Sequence, residues 1–126
     1  MGKRDNITMA NPTKKSQQKT YNICIMGIPF EIQVLDKIDE DNAHGEMVGL
    51  DRIIKLRRDQ TDTVMIHTFV HEYIHAVLYI TGHSYTMKSK VEEAIVTALE
   101  HGLTKLCNFN NLEDIITYLN KVPEKT

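Results

Sequence analysis

The chain has 126 residues, of which 41% are hydrophobic and 25% are charged, and its formal net charge is −2. This length fits one domain with a sizeable core and excludes a second domain of ordinary size. Residues 1–20 lack the apolar stretch of a secretory signal peptide, no segment predicts a membrane span, and Cys24 and Cys107 are far apart, so we expect a cytoplasmic protein.

Positive charge is concentrated at the N-terminus. Residues 1–19 carry five Lys or Arg side chains against the single Asp5 and have no apolar periodicity, which predicts a disordered basic tail. Residues 20–126, predicted to form a single domain, carry the remaining 10 basic and 16 acidic residues, a net charge of −6. An acidic body argues against a nucleic-acid groove on the folded part.

Strand signals follow the tail. Residues 21–26 and 30–35 alternate in polarity or are β-branched, and the Gly-Ile-Pro sequence between them predicts the turn of a hairpin. Residues 45–50 and 52–57 predict two further short strands. We therefore expect a small sheet of three or four strands, mostly antiparallel.

A long helix is predicted next. Residues 63–80 form an apolar run without Gly or Pro, long enough for about five turns. Asp59 or Thr61 is suited to cap its first turn, and Gly82 is the expected end signal. Apolar residues occupy both sides of this helix, which predicts a central, buried position in the fold.

Two more helices complete the prediction. Residues 91–107 repeat apolar side chains at helical spacing, and residues 112–122 predict a short last helix that ends before Pro123. The apolar positions of the longer helix are Val91, Ile95, Leu99, Leu103 and Leu106. Strands followed by helices predict an α+β domain in which the sheet packs on the central helix.

The central helix carries the string HEYIH at residues 71–75. Side chains four residues apart on a helix are neighbours, so His71 and His75 can bind one divalent cation. Glu72 lies about 100° around the helix from His71, where it can act as general base on a water activated by the metal. The alternative is a pair of hydrogen-bonded core histidines, but burying two imidazoles and a carboxylate without partners is costly.

A catalytic zinc site needs three protein ligands and one open position. His67 lies on the same helix face but about 12 Å along the axis from His75, too far for both to bind one ion. His101 is possible, and so are Glu92 and Glu93 on the next helix. Glu92 projects into that helix's apolar arc and is expected to be the more buried of the two, which favours it. Glu93 shares a face with polar side chains.

The HEYIH helix and the downstream Glu93-Ala94-Ile95 string together resemble the gluzincin metallopeptidases, in which HExxH is completed by a Glu from a later helix. The Glu-Ala-Ile string is similar to the corresponding segment of thermolysin-like enzymes. The order of sheet, HExxH helix and Glu helix more closely resembles small phage and bacterial zinc peptidases of the ImmA/IrrE type. The resemblance covers about residues 20–107 and implies a zincin-like fold.

The resemblance also implies a Zn²⁺ site with three protein ligands, namely His71, His75 and Glu93. It implies Glu72 as the catalytic general base. Gluzincins usually carry an acidic residue four positions after the ligand Glu, where it holds a ligand histidine, and this chain has Thr97 there. Glu100 is one candidate to take over that contact.

These features predict a minimal zinc metallopeptidase that hydrolyses peptide bonds in peptides or proteins, without a nucleic-acid or membrane partner. His101, Tyr85 and Tyr79 are candidates to stabilise the tetrahedral oxyanion. We expect the peptide to add to an exposed sheet edge beside residues 52–57. The alternative is a zinc-stabilised binding or regulatory protein with little or no protease activity, which the small size of the chain favours.

Overall fold

The structure is a computed structural model that describes residues 19–38, 43–109 and 112–121. Its strands are β1 (Lys19–Ile25), β2 (Ile28–Leu35), β3 (Gly45–Val48) and β4 (Ile53–Arg57). Its helices are α1 (Asp62–Ile80), α2 (Ser89–Phe109) and α3 (Leu112–Lys121), with one 3₁₀ turn at His83–Tyr85. The predicted α+β class is confirmed. In these ranges no helix has the length and hydrophobicity that a membrane span needs.

The basic tail predicted at residues 1–19 lies outside the described residues, except that Lys19 begins β1. From there β1 and β2 form the predicted hairpin, with a shorter turn than expected. Met26 and Gly27 have φ angles of 51° and 81°, the positive values that a two-residue type I′ turn requires. Pro29 therefore lies within β2, opposite Cys24, and not in the turn.

The sheet is mixed, with the strand order β1-β2-β4-β3. The outer pairs, β1 with β2 and β3 with β4, are antiparallel, but the central pair of β2 and β4 is parallel. The mostly antiparallel sheet expected from the sequence is therefore not confirmed. After β2 the chain crosses to the far edge, forms β3, and returns to insert β4 between β2 and β3.

This strand order corrects the expected position of a peptide. β4 (Ile53–Arg57) is hydrogen-bonded to a neighbouring strand on both sides, so its backbone cannot accept a further strand. Among the described strands, β3 (Gly45–Val48) pairs only with β4. The edge left unpaired by these strands next to the helices is therefore that of β3.

Helix α1 begins where the sequence predicts, because the Thr61 hydroxyl accepts a hydrogen bond of 3.2 Å from the Val64 N–H. One face of α1 packs on the sheet. Buried side chains of the sheet surround the fully buried Ala76 of α1, and these are Ile25, Phe30, Ile54 and Leu56. The opposite face of α1 carries the histidines and is covered by α2.

Helix α2 packs mainly on α1, but the face that it buries is not the predicted one. Its buried side chains are Val96, Glu100 and Thr104, at 0%, 8% and 2% exposure. Of the predicted apolar stripe, Val91, Ile95, Leu99 and Leu103 are 39–48% exposed, and Leu106 is partly buried. The prediction that this stripe faces the core is wrong, because the surface of α1 beneath α2 is lined by histidines and selects polar partners.

Candidate metal centre

The two histidines of the HEYIH string project into one cavity between α1, α2 and β3. The volume of this cavity is about 750 Å³. The ring centroids of His71 and His75 are 5.0 Å apart, and the ring planes meet at 66°. Both imidazoles line this cavity and are partly buried.

Glu93 of α2 completes a three-residue cluster with these histidines. Its Oε2 lies 2.8 Å from His71 Nε2, and its Oε1 lies 3.1 Å from His75 Nε2. The ligand atoms of the three residues all lie within 4.8 Å of one another. Ligands of a tetrahedral zinc ion are about 2.0–2.1 Å from the metal and hence about 3.3 Å from each other. The three side chains could therefore bind a zinc ion after small movements.

Glu92, the rival third ligand, contacts a different atom. Its Oε2 lies 2.7 Å from Nδ1 of His75, on the side of the ring that faces away from Glu93. An Nδ1–H that donates to this carboxylate leaves the Nε2 lone pair free for a metal. The side chain of Glu92 is 13% exposed and that of Glu93 is 57% exposed, so Glu92 is the more buried one, as predicted, while the geometry favours Glu93 as the ligand.

Glu100 makes the corresponding contact with the first histidine. Its Oε1 lies 3.4 Å from Nδ1 of His71, and its other oxygen contacts Nδ1 of His67. Burial raises the pKa of the Glu100 carboxyl, but hydrogen bonds to His67 and His71 outweigh burial and hold this pKa below its ordinary value. Glu100 lies seven residues, about two helical turns, after Glu93. Glu100 thus contacts His71, the kind of contact for which the sequence named it as a candidate in place of Thr97.

Glu72 lines the same cavity and is 8% exposed. Burial raises the pKa of its carboxyl above the ordinary value, an effect that His71 and His75 partly offset and that Glu93 and Glu46 reinforce. None of its oxygens belongs to the three-residue cluster. Glu72 is therefore placed to exchange a proton with a molecule in the cavity, since a carboxylate with a raised pKa is a stronger base.

Two glycines allow β3 to pack closely on α1. A Cβ atom at Gly45 would lie 2.6 Å from Thr68 Cγ2, 3.1 Å from the Lys55 carbonyl oxygen and 3.2 Å from Glu72 Cγ. A Cβ at Gly49 would lie 2.7 Å from the ring of Tyr79. Only glycine permits this approach, which places the edge strand against the carboxylate of Glu72.

We expect Gly45→Ala to lower kcat/KM for the proposed hydrolysis by up to about 100-fold, the loss that a misplacement of about 1 Å causes, because the added methyl group clashes with Thr68 Cγ2 and crowds Glu72 Cγ. Zinc content is expected to stay at the wild-type level, since Gly45 touches no ligand. Gly102→Ala is the matched control: a Cβ there meets nothing within 4 Å, and alanine stabilises the helix by about 1 kcal/mol. An unchanged kcat/KM in Gly45→Ala would show that this close approach does not position Glu72.

Of the three candidates for stabilising an oxyanion, only Tyr79 is among the described residues that line the cavity. A hydrogen bond with Tyr85 raises the pKa of Tyr79 above its ordinary value, so the phenol stays protonated. Tyr85 is itself 75% exposed, and the ring of His101 lies beside His67, with the centroids 6.1 Å apart. His44, next to the edge strand, also lines the cavity and was not predicted from the sequence.

The charge of the cavity suits a cation. Neither Lys nor Arg occurs among the described residues of its wall, which holds four histidines and five glutamates. The glutamates are Glu46, Glu72, Glu92, Glu93 and Glu100. A low-dielectric wall that carries charge of one sign concentrates counter-ions. A divalent cation between these carboxylates is therefore electrostatically favourable.

A scan against protein-family models, a search of curated proteins and a search of solved structures each found no match. The function is therefore inferred from the residues and geometry of the centre. Two imidazole nitrogens, one carboxylate and an open side match the ligand set of catalytic zinc sites with two histidines and one glutamate. Structural zinc sites are usually closed by four protein ligands, most of them cysteines.

Proposed function

We propose that the protein is a zinc-dependent metallopeptidase, in which His71, His75 and Glu93 hold the metal and Glu72 is the general base. The observation that carries the proposal is the approach of the Glu93 carboxylate to the two Nε2 atoms, at 2.8 and 3.1 Å. The succession of a mixed sheet, α1 and the Glu-bearing α2 supports a zincin-like, gluzincin-type arrangement. When bound, zinc supplies Lewis-acid chemistry that activates water at neutral pH and polarises a peptide carbonyl.

The protein's own residues account for proton transfer and orientation. Glu72 takes a proton from the attacking water and returns it to the leaving amine, a role that its burial beside the ligand His71 supports. Glu92 and Glu100 hold the Nδ1 sides of His75 and His71, so that the Nε2 atoms stay directed into the cavity. Such contacts typically change metal affinity by about 10- to 100-fold.

A peptide substrate is expected to bind as an added strand along β3. Gly45, Glu46 and Met47 of β3 line the cavity, and in the described part of the sheet β3 has a neighbouring strand on one side only. Backbone hydrogen bonds to this edge would fix a peptide in extended form across the centre, largely independently of its sequence. Tyr79 is then the best-placed described donor for the oxyanion of the tetrahedral intermediate.

The alternative function, a zinc-stabilised binding or regulatory protein, keeps the metal and lacks the hydrolysis. A metal that only stabilises the fold needs no general base, whereas Glu72 is a buried carboxylate outside the ligand cluster. Burying an ionisable group without a partner of opposite charge costs free energy. Glu72 therefore supports the catalytic proposal over the alternative.

The proposal is tested by metal content and hydrolysis of the full chain. Wild-type protein expressed with zinc is expected to contain one zinc ion per chain by elemental analysis and to cleave denatured proteins. A chelator is expected to remove both zinc and cleavage, and added zinc to restore them. His101→Ala is the control and is expected to retain zinc, because His101 lies outside the three-residue cluster.

Two results would contradict parts of the proposal, and they differ. Wild-type protein without stoichiometric zinc would exclude the metal site, and with it both the peptidase and the zinc-stabilised alternative. Stoichiometric zinc without cleavage of any peptide or denatured protein would exclude the peptidase and leave the alternative.

A further inference from the structure

The contacts that join α2 to the rest of the described chain are concentrated in the candidate metal centre. α2 packs mainly on α1, and three of its carboxylates contact imidazoles of that helix. Glu92 contacts His75, Glu93 contacts both His71 and His75, and Glu100 contacts His71 and His67. The residues that form the site are thus also the residues that attach the helix.

Apolar packing contributes little to this attachment. Val96 is the single buried hydrophobic residue among the described side chains of α2. The stripe of Val91, Ile95, Leu99 and Leu103 remains 39–48% exposed. Helices in globular proteins owe most of their stability to tertiary packing of an apolar face, and the apolar stripe of α2 is only half buried. The inner, polar face therefore supplies much of the free energy of docking.

A cation strengthens the docking that this inner face supplies. Docking places the carboxylates of Glu92, Glu93 and Glu100 in the wall that already contains Glu72 and Glu46, and no Lys or Arg is found in the described part of this wall. These five carboxylates share one cavity wall. Like charges at this spacing oppose docking, whereas a divalent cation between them reverses the sign of the interaction.

We infer that metal binding and docking of α2 on α1 are one event: the helix packs on α1 when the centre holds its metal and is released when the metal is removed. The inference rests on the proposed metal site but not on peptidase activity. Because Glu93 comes from α2 and the histidines come from α1, release of α2 separates the third ligand from the other two. Metal availability would thereby switch the cavity between an assembled and an open state.

Hydrogen–deuterium exchange of the full chain tests the inference. Amide exchange is compared at free zinc about 100 times the measured Kd and after chelation of the zinc. If only the docked state binds zinc, the undocked population falls about 100-fold at this concentration, and amides of α2 between residues 92 and 106 slow by about the same factor. Amides of β2 and β4, which belong to the core away from α2, are expected to change by less than about threefold.

Two variants distinguish the effect of zinc on the exchange of α2 from the effect of the helix's own apolar packing. His75→Ala removes a ligand on α1 and leaves the sequence of α2 intact, so α2 is expected to exchange as in the metal-free protein even when zinc is present. Ile95→Ala truncates the outer apolar face, and it is expected to bind zinc and to show the same zinc-dependent slowing as the wild type. Loss of the slowing in Ile95→Ala with zinc still bound would mean that the outer face holds the helix.

The outcomes distinguish this inference from the proposed metal site, with zinc binding measured by calorimetry in the same samples. Stoichiometric zinc binding with unchanged exchange of α2 overturns the inference and leaves the metal site standing. Equal loss of protection in α2, β2 and β4 after chelation also overturns it, because the metal would then stabilise the whole domain. Absence of zinc binding removes the inference and the proposed function together.

Discussion

Glu72→Gln is expected to bind zinc as tightly as the wild type, within about threefold, and to hydrolyse peptides about 100 to 10,000 times more slowly, the range over which a positioned acid–base group acts. Glutamine has the shape of glutamate and preserves its packing in a position that is 8% exposed, but its amide cannot take a proton from water. The loss is therefore expected in kcat, with the metal content by elemental analysis unchanged. Single-turnover cleavage of a defined peptide measures it.

Glu46→Gln is the matched control, since Glu46 lines the same cavity and lies outside the ligand cluster. Its turnover is expected to stay within about threefold of the wild type, as is usual when a change affects neither a reacting group nor a ligand. Equal turnover in Glu72→Gln and wild type would exclude Glu72 as the general base. A decrease of similar size in both variants would show that cavity charge, and not a positioned base, controls the rate.

The strongest parts of the sequence prediction concern α1. Its cap at Thr61, its end near Gly82 and the shared orientation of His71 and His75 follow from local rules, namely capping chemistry and the four-residue helical spacing. Such rules need no knowledge of the remaining chain. The helix and its two candidate ligands could therefore be predicted without the structure.

The orientation of α2 could not be predicted in this way. Apolar periodicity identifies a helix and the direction of its apolar face, but the inference that this face lies inward assumes an apolar neighbour. Here the neighbour is the histidine-bearing face of α1, so Glu100 and Thr104 are buried and Leu99 and Leu103 are half exposed. The rule that the apolar face of a helix lies inward is expected to fail beside a candidate site. There the site requires polar side chains, whereas the local pattern favours apolar ones.

The order of the strands in the sheet could not be predicted from local sequence patterns either. Hairpin signals pair strands that are adjacent in sequence, and they correctly paired β1 with β2. The parallel pairing of β2 with β4 joins Glu31 to Ile53 and Leu35 to Arg57, which are 22 residues apart in each case. No turn sequence encodes such a contact, and the edge position of β3 next to the cavity depends on it.

Glu93→Gln is expected to weaken zinc binding by more than about 100-fold, which exceeds the 10- to 100-fold effect usual for residues that only orient a ligand. The neutral amide replaces a carboxylate that lies 2.8 and 3.1 Å from the two Nε2 atoms, so the centre loses one ligand and one negative charge. Competition with a chromogenic chelator measures the Kd. Loss of zinc is expected to abolish hydrolysis in the same preparation.

Glu92→Gln provides the sharpest comparison, because the same chemical change is made one residue earlier. Glu92 contacts Nδ1 of His75 at 2.7 Å and not the cluster atoms, so its variant is expected to bind zinc about 10- to 100-fold more weakly and to remain fully loaded at high zinc. A glutamine can still accept a hydrogen bond from Nδ1–H, which places the effect at the lower end of that range. If Glu92→Gln lost zinc entirely while Glu93→Gln retained it, the third ligand would be Glu92. In that case the burial of Glu92, which the sequence predicts, would identify the ligand correctly. The short distances from Glu93 to the two histidines would not.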